Sequence, residues 1–126
     1  MKANAHTLRA CQFEANEKKR KVRDLEAMIE EFRQMVVNLD HQILSEEEKS
    51  GISDKNHYAY PTFAKAAIQR RDNLIVSLED LQAKLDLASE EMQVATDDLN
   101  KAQQLDRRES GVSKKHTGTH QVAHRF

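Results

Sequence analysis

Three histidines near the C-terminal end have a spacing that could bind a transition metal. His116, His120 and His124 follow one another at intervals of four residues, which on an α-helix would place them along one face. Imidazole nitrogens are good ligands for Zn²⁺ and related ions. Thr117 and Gly118 lie between them, however, and both are poor helix formers. We therefore expect a solvated tail, with no metal or other cofactor bound there.

The rest of the chain offers little to catalysis. It contains neither a glycine-rich phosphate-binding loop nor an HExxH motif. Its one cysteine, Cys11, falls in the hydrophobic repeat described below, where a packed thiol is expected rather than a reactive one. A lone cysteine cannot form an intrachain disulfide, which is typical of proteins in a reducing compartment. We expect a non-catalytic protein without catalytic residues.

A basic run near the N-terminus is the strongest charge feature, and it comprises Lys18, Lys19, Arg20, Lys21 and Arg23. Residues 1–24 carry a net charge of +4, whereas residues 79–106 carry −6. Two interpretations are open: the charges select an antiparallel pairing of the two segments, or part of the run binds an acidic partner. Nucleic acid is not an expected partner, because the run has no interleaved aromatic residues and the whole chain has a net charge of −1.

Several apolar residues lie outside the hydrophobic repeat or close to the predicted bend. Val37, Ile75 and Val76 are difficult to bury between two helices. They predict a partner-binding patch, self-association or merely scattered exposure. Tyr60 and Phe63 lie beside the bend, where they either pack the turn or anchor a partner.

The composition favours long helices as the elements that carry these residues. The chain has 126 residues, of which 33% are charged and 5% aromatic, and residues 1–108 contain one glycine and one proline. Turns between strands draw heavily on Gly, Pro, Asn and Asp, so the composition favours an all-α fold. No apolar run approaches the roughly 18 residues that a membrane span needs, and the N-terminal segment lacks a signal-peptide-like apolar block. We expect a cytoplasmic protein that does not insert into a membrane.

Two segments carry a hydrophobic heptad repeat, and in each of them ten of eleven positions at alternating strides of three and four are apolar. The positions of the first are Leu8, Cys11, Ala15, Lys18, Val22, Leu25, Ile29, Phe32, Val36, Leu39 and Ile43. Those of the second are Ala67, Arg71, Leu74, Leu78, Leu81, Leu85, Ala88, Met92, Ala95, Leu99 and Ala102. An α-helix follows this average period of 3.5 only by supercoiling with a partner. We expect the two charged exceptions, Lys18 and Arg71, to pair with Glu91 and Asp40 respectively.

The two repeats match when the chain folds back on itself. Pairing them in reverse order gives partners whose numbers add up to 110, such as Leu25 with Leu85. Gly51 suits a helix C-terminus and Pro61 a first helical turn. We therefore predict an all-α fold, a long antiparallel two-helix coiled-coil hairpin over residues 1–108 with a disordered C-terminal tail. Its segments are a helix at 3–49, a connector at 50–60, a helix at 61–108 and a flexible tail at 109–126.

The start of the second predicted helix resembles a known family. Residues 60–74 read YPTFAKAAIQRRDNL and contain a loose pattern of Tyr60, Phe63 and Ile68. In a coiled-coil hairpin of this size, the segment is similar to the flagellar export protein FliJ family, above all to its alphaproteobacterial branch. The resemblance covers about residues 8–108.

This resemblance implies a non-catalytic stalk or adaptor of the flagellar type III protein export apparatus. Such a protein would engage the hexameric export ATPase, link it to the cytoplasmic domain of the export-gate membrane protein, and escort export chaperones. It would lie in the cytoplasm, peripheral at the flagellar basal body. By analogy, we expect the basic run to contact the ATPase. The surface expected to face the gate or another partner comprises Val37, Tyr60, Phe63, Ile75 and Val76.

The alternative is a structural role without an export partner. In that case the chain is a coiled-coil scaffold that self-associates as a four-helix-bundle dimer. The dimer would bury the off-repeat residues Val37, Ile75 and Val76, which explains their apolar character equally well.

Overall fold

A computed structural model shows two long α-helices, α1 at Lys2–Ser50 and α2 at Thr62–Val122. The structure describes the backbone of residues 2–122 and the side chains of residues 5–111. No strand occurs in the described backbone, and the chain forms the predicted helical hairpin. The predicted limits of the first helix and the predicted start of the second each differ from the observed ones by one residue. Neither helix contains, in its described part, a segment with the length and apolar character needed to cross a membrane.

The signals that end α1 and begin α2 lie where the sequence predicts them. Gly51 has a φ of 71°, a left-handed conformation that costs glycine little. Its N–H donates a hydrogen bond of 2.9 Å to the carbonyl of Glu47, which closes the last turn of α1. At the other end of the connector, the carbonyl of Pro61 accepts a hydrogen bond of 3.1 Å from the N–H of Lys65.

The hairpin divides into two compact units. The first, here called the terminal unit, contains α1 up to Val22 and α2 from Ala88 onwards. The second, the connector unit, contains residues 23–87 and therefore the reversal of the chain. Each unit pairs a segment of α1 with a segment of α2.

The terminal unit has a core of small and medium-sized side chains. Ala15, Ala95 and Leu99 are buried, and Leu8 and Cys11 pack against them. The pairs Ala15 with Ala95 and Cys11 with Leu99 belong to the predicted register. Cys11 therefore contributes to the seam between the helices, as its place in the repeat predicts.

The connector unit follows the same register. Leu39, Ile43 and Ala67 form its buried cluster, with Ile68 and Leu74 packed against it. Ile43 and Ala67 are a predicted pair, so a large side chain lies opposite a small one, as close packing favours.

The end of α2 differs from the prediction. Ala102 is the last buried residue among the described side chains of α2, yet the helix continues to Val122. The predicted helix end at residue 108 is therefore wrong, although the buried stripe does end close to it. Hydrophobic periodicity indicates where a helix is covered by a partner, not where its backbone stops. Residues 123–126, and the side chains of the histidines at positions 116, 120 and 124, lie outside the described part.

Candidate partner-binding surfaces

Part of the basic run is engaged across the terminal unit. The Nζ of Lys18 lies 3.4 Å from Glu14 Oε1 and 3.9 Å from Glu91 Oε1. The Nζ of Lys21 lies 3.6 Å from the same oxygen of Glu91, so one carboxylate of α2 faces two lysines of α1. The predicted pairing of Lys18 with Glu91 is confirmed. These ion pairs support the interpretation that the run helps to select the antiparallel register.

The contact of Glu91 with the two lysines is electrostatic rather than a set of short hydrogen bonds. Its Oε1 is buried and has no hydrogen-bond partner among the residues described. A carboxylate oxygen in that situation is stabilised only by the nearby positive charges, because a hydrogen bond requires a shorter approach than 3.6 Å. The two lysines therefore supply the electrostatic contacts of this oxygen across the helix interface.

The middle of the basic run is open to a partner. Arg20 Nη1 lies 3.6 Å from Glu17 Oε1, and both side chains are well exposed, so this pair contributes little to stability. Lys19 is exposed and forms no ion pair with the described side chains. Arg23, which belongs to the connector unit, is likewise exposed. The structure thus leaves Lys19, Arg20 and much of Lys21 accessible, whereas Lys18 turns towards the seam.

Tyr60 is part of the core of the connector unit. Its side chain is only 4% exposed, and its hydroxyl donates a hydrogen bond of 2.7 Å to Glu47 Oε2. The hydrogen bond to that carboxylate, together with burial of the ring, raises the pKa of Tyr60 to about 12. The expectation that Tyr60 faces a partner is therefore wrong, and of its two predicted roles the structure supports packing of the turn. Glu47 lies in the last turn of α1, and Tyr60 lies at the end of the connector, directly before Pro61. The reversal of the chain between them brings the Tyr60 hydroxyl to the Glu47 carboxylate.

The other predicted apolar residues are exposed. Val37 is 44% exposed, Ile75 39%, Val76 65% and Phe63 58%. Exposed apolar residues also occur elsewhere in both units, among them Phe13, Leu87 and Val94, so exposure alone does not distinguish a partner-binding patch from scattered exposure. All four residues remain candidates for the second surface.

Two further residues extend this surface. Leu44 is 55% exposed and follows Val37 by seven residues on α1. Ile68 is half-buried and precedes Ile75 by seven residues on α2. A spacing of seven places residues on the same side of a supercoiled helix, and this spacing could have revealed both residues in the sequence. We refer to Val37, Leu44, Ile68, Ile75 and Val76 as the apolar stripe.

Arg71, the charged exception in the second repeat, is held by two carboxylates. Its Nη1 lies 3.1 Å from Asp40 Oδ1, and its Nη2 lies 3.2 Å from Asp72 Oδ1. The predicted pairing with Asp40 is confirmed. The hydrogen bond to Asp40, with a smaller contribution from Asp72, raises the pKa of Arg71. A cation on the seam is thus neutralised at the surface while its stem covers the apolar layer.

Comparisons with models of protein families, with curated proteins and with solved structures gave no match to this chain. Within the described side chains, no group of three or more His, Cys, Asp and Glu residues could hold a metal ion. The resemblance in residues 60–74 and the two surfaces described above are therefore the basis for a functional proposal.

Proposed function

We propose that this chain is a non-catalytic adaptor of the flagellar type III protein export apparatus. In this role it engages the export ATPase hexamer, links it to the export-gate membrane protein and escorts export chaperones. It acts in the cytoplasm, peripheral at the basal body. The proposal is supported by the resemblance of residues 60–74 to the FliJ family and by a helical hairpin of matching kind. An adaptor needs two surfaces of different chemistry, and this chain has a basic run, mostly in the terminal unit, and an apolar stripe in the connector unit.

The basic run is the proposed contact with the ATPase. The observation that carries this assignment is the exposure of Lys19, Arg20 and Lys21. Lys19 has no ion-pair partner among the described side chains. The pairs of Arg20 with Glu17 and of Lys21 with Glu91 are 3.6 Å long and largely exposed. Positive charge that is not neutralised within the chain attracts an acidic patch and accelerates its association. Binding of the basic run to an acidic patch on the ATPase hexamer would favour the subunit conformation that presents this patch. The adaptor would need no catalytic residues for this effect.

The apolar stripe and Phe63 are the proposed contact with the gate or a chaperone. Leu44 and Val76 are more than half exposed. A partner that covers them removes this apolar surface from water, which stabilises the complex through the hydrophobic effect. Because the stripe repeats every seven residues on both helices, an amphipathic helix of the partner can follow it.

Pull-down with the export ATPase and measurement of ATPase stimulation test the basic contact. The variant K19E/R20E/K21E should bind at least about tenfold more weakly at low salt, with a smaller difference at high salt, because the contact is electrostatic. A matched triple reversal at exposed bases of the connector unit, R33E/K55E/K65E, changes the net charge equally and should bind as the wild type does. E91Q should bind more tightly than the wild type, since it releases Lys21 from its ion pair.

The outcomes separate two kinds of error. If the K19E/R20E/K21E variant binds and stimulates like the wild type, the assignment of the basic run is wrong. If the wild-type chain never binds the ATPase, the adaptor proposal itself fails. Helical circular dichroism of every variant controls for loss of fold.

The exposed apolar stripe favours a second candidate function, the self-associating scaffold. A four-helix-bundle dimer would bury Val37, Ile75 and Val76. Sedimentation equilibrium distinguishes it: a tight dimer that becomes monomeric in V37S/I75S/V76S supports the scaffold. A dimer unaffected by that variant excludes the bundle.

A further inference from the structure

A shallow groove in the connector unit lies around Met35 on α1 and Arg70 on α2. Its two adjoining parts have volumes of about 270 and 150 Å³. The lining residues are Met35, Asn38, Leu39, Gln42, Arg70, Asn73, Leu74 and Ser77. Sites for small molecules are usually concave enough to bury most of the ligand and measure roughly 300–1,000 Å³. Each part of this groove is smaller than that and is open to solvent, so the groove suits one or two side chains of another protein. We call it the Arg70 groove.

The charge of the groove is the opposite of its surroundings. The connector unit has 13 acidic and 8 basic residues, a net charge of −5, yet no carboxylate lines the groove and Arg70 is its one charged residue. Unlike the side chain of Arg71 beside it, the side chain of Arg70 forms no ion pair or hydrogen bond within residues 5–111. A guanidinium without a carboxylate is a fork of donors suited to a carboxylate from elsewhere.

The floor of the groove beside Arg70 is apolar. Leu74 lies one helical turn after Arg70, and Met35 lines both parts of the groove. Methionine adapts its shape to an incoming side chain. The site therefore fits a helix that carries an apolar residue and a carboxylate one turn apart.

The terminal unit of the same chain presents such a turn. Val94 on α2 is 60% exposed. Asp98, four residues later, is exposed and has no partner among the described side chains. In the groove the charged residue, Arg70, precedes the apolar residue, Leu74, by four positions. In the other turn the apolar residue, Val94, precedes the charged residue, Asp98, by four positions. In an antiparallel approach of two helices, Val94 therefore faces Leu74 when Asp98 faces Arg70.

We propose that the Arg70 groove binds the Val94–Asp98 turn of a second copy of this chain. The carboxylate of Asp98 accepts hydrogen bonds from the guanidinium of Arg70, while the side chain of Val94 covers Leu74 and Met35. The partner in this contact is a second molecule of the same chain. This self-association goes beyond the adaptor role and uses neither the basic run nor the apolar stripe.

Charge reversal tests the pairing by sedimentation equilibrium. R70E and D98K should each weaken self-association about tenfold relative to the wild type, because each brings two like charges together. An equimolar mixture of the two variants should associate again, since the glutamate introduced in one copy then meets the lysine introduced in the other. V94S should weaken association without changing the charge. All three sites are exposed, so the variants should keep the helical content of the wild type.

Matched controls and contrary outcomes complete the test. R33E and D24K reverse exposed charges in the connector unit outside the groove and should associate as the wild type does. A wild-type chain that stays monomeric at roughly 1 mM overturns the proposal. So does a dimer that is indifferent to R70E, a mixture that fails to associate, or a dimer lost only when the apolar stripe is changed.

Discussion

Two neighbouring residues of α1 provide a sharp test of the helix register. Ile43 is 5% exposed and lies in the buried cluster with Leu39 and Ala67, whereas Leu44 is 55% exposed. Truncation of either residue to alanine removes three carbon atoms at adjacent positions of one helix. The two substitutions therefore differ chiefly in how much apolar surface was buried.

The expected magnitudes follow from that burial. Three buried carbons contribute about 2.4 kcal/mol at about 0.8 kcal/mol each. Scaling by the buried fraction gives about 2.3 kcal/mol for I43A and about 1.1 kcal/mol for L44A. Alanine has a higher helix propensity than isoleucine or leucine, which offsets the loss by about 0.4 kcal/mol in I43A and about 0.2 kcal/mol in L44A. We expect losses in the free energy of unfolding of about 2 and about 1 kcal/mol, the cavity contribution being small in a pair of helices open to water.

Urea unfolding followed by circular dichroism measures both values, with the slope m checked for equality among the variants. A slip of α1 by one residue against α2 would bring Leu44 to the seam and expose Ile43. Equal losses, or a larger loss for L44A than for I43A, would refute the register and with it the surfaces assigned above.

Three further predictions concern the connector and the seam. In Y58F, which leaves Tyr60 as the one tyrosine, the ultraviolet absorbance should titrate near pH 12, and adding E47Q should bring the midpoint back towards 10. Because the pKa of Tyr60 is higher in the folded chain, its contribution to stability is complete below pH 10 and is lost as the pH rises to about 12; Y60F should lack this loss in alkaline urea titrations. R71L should leave the unfolding free energy within about 1 kcal/mol of wild type, since an apolar residue on the seam replaces a half-exposed ion pair; a larger loss in the same titration would show that the ion pairs are essential. G51A should destabilise the chain by about 1 kcal/mol in urea, because alanine must adopt the φ of 71° although a Cβ would meet no neighbour there.

Much of the candidate functional surface could be located from sequence, because exposure follows from helical period. Val37, Ile75 and Val76 lie off the repeat and are exposed, and the basic run lies on α1 as predicted. The partners that these surfaces bind stay predictions. Leu44 and Ile68 lie seven residues from Val37 and Ile75 respectively, so this second spacing of seven is also present in the sequence.

The pairing of distant charges was also predictable in part. Once the repeats are aligned, Lys18 must approach Glu91 and Arg71 must approach Asp40, and both pairs form. The alignment of the two repeats does not predict which charged side chains lack an ion-pair partner. Arg70 and Arg71 are adjacent in sequence, but the structure gives two carboxylates to one of them and none to the other, because a rotation of about 100° per residue directs them to different sides of α2.

The amino-acid sequence alone determined the two helices, their register and the glycine that ends α1. The α-helix has a fixed period, so the spacing of apolar residues along the chain shows which side of each helix must be covered. Tertiary structure decided the burial of Tyr60 against Glu47 and the composition of the Arg70 groove. The first is a contact of the connector with α1, and the second combines side chains of α1 and α2. Both depend on distances and angles between segments that no single helical period specifies. The extension of α2 to Val122 likewise could not be predicted from hydrophobic spacing, because the heptad repeat ends at Ala102 and gives no sign of a helix that continues without it.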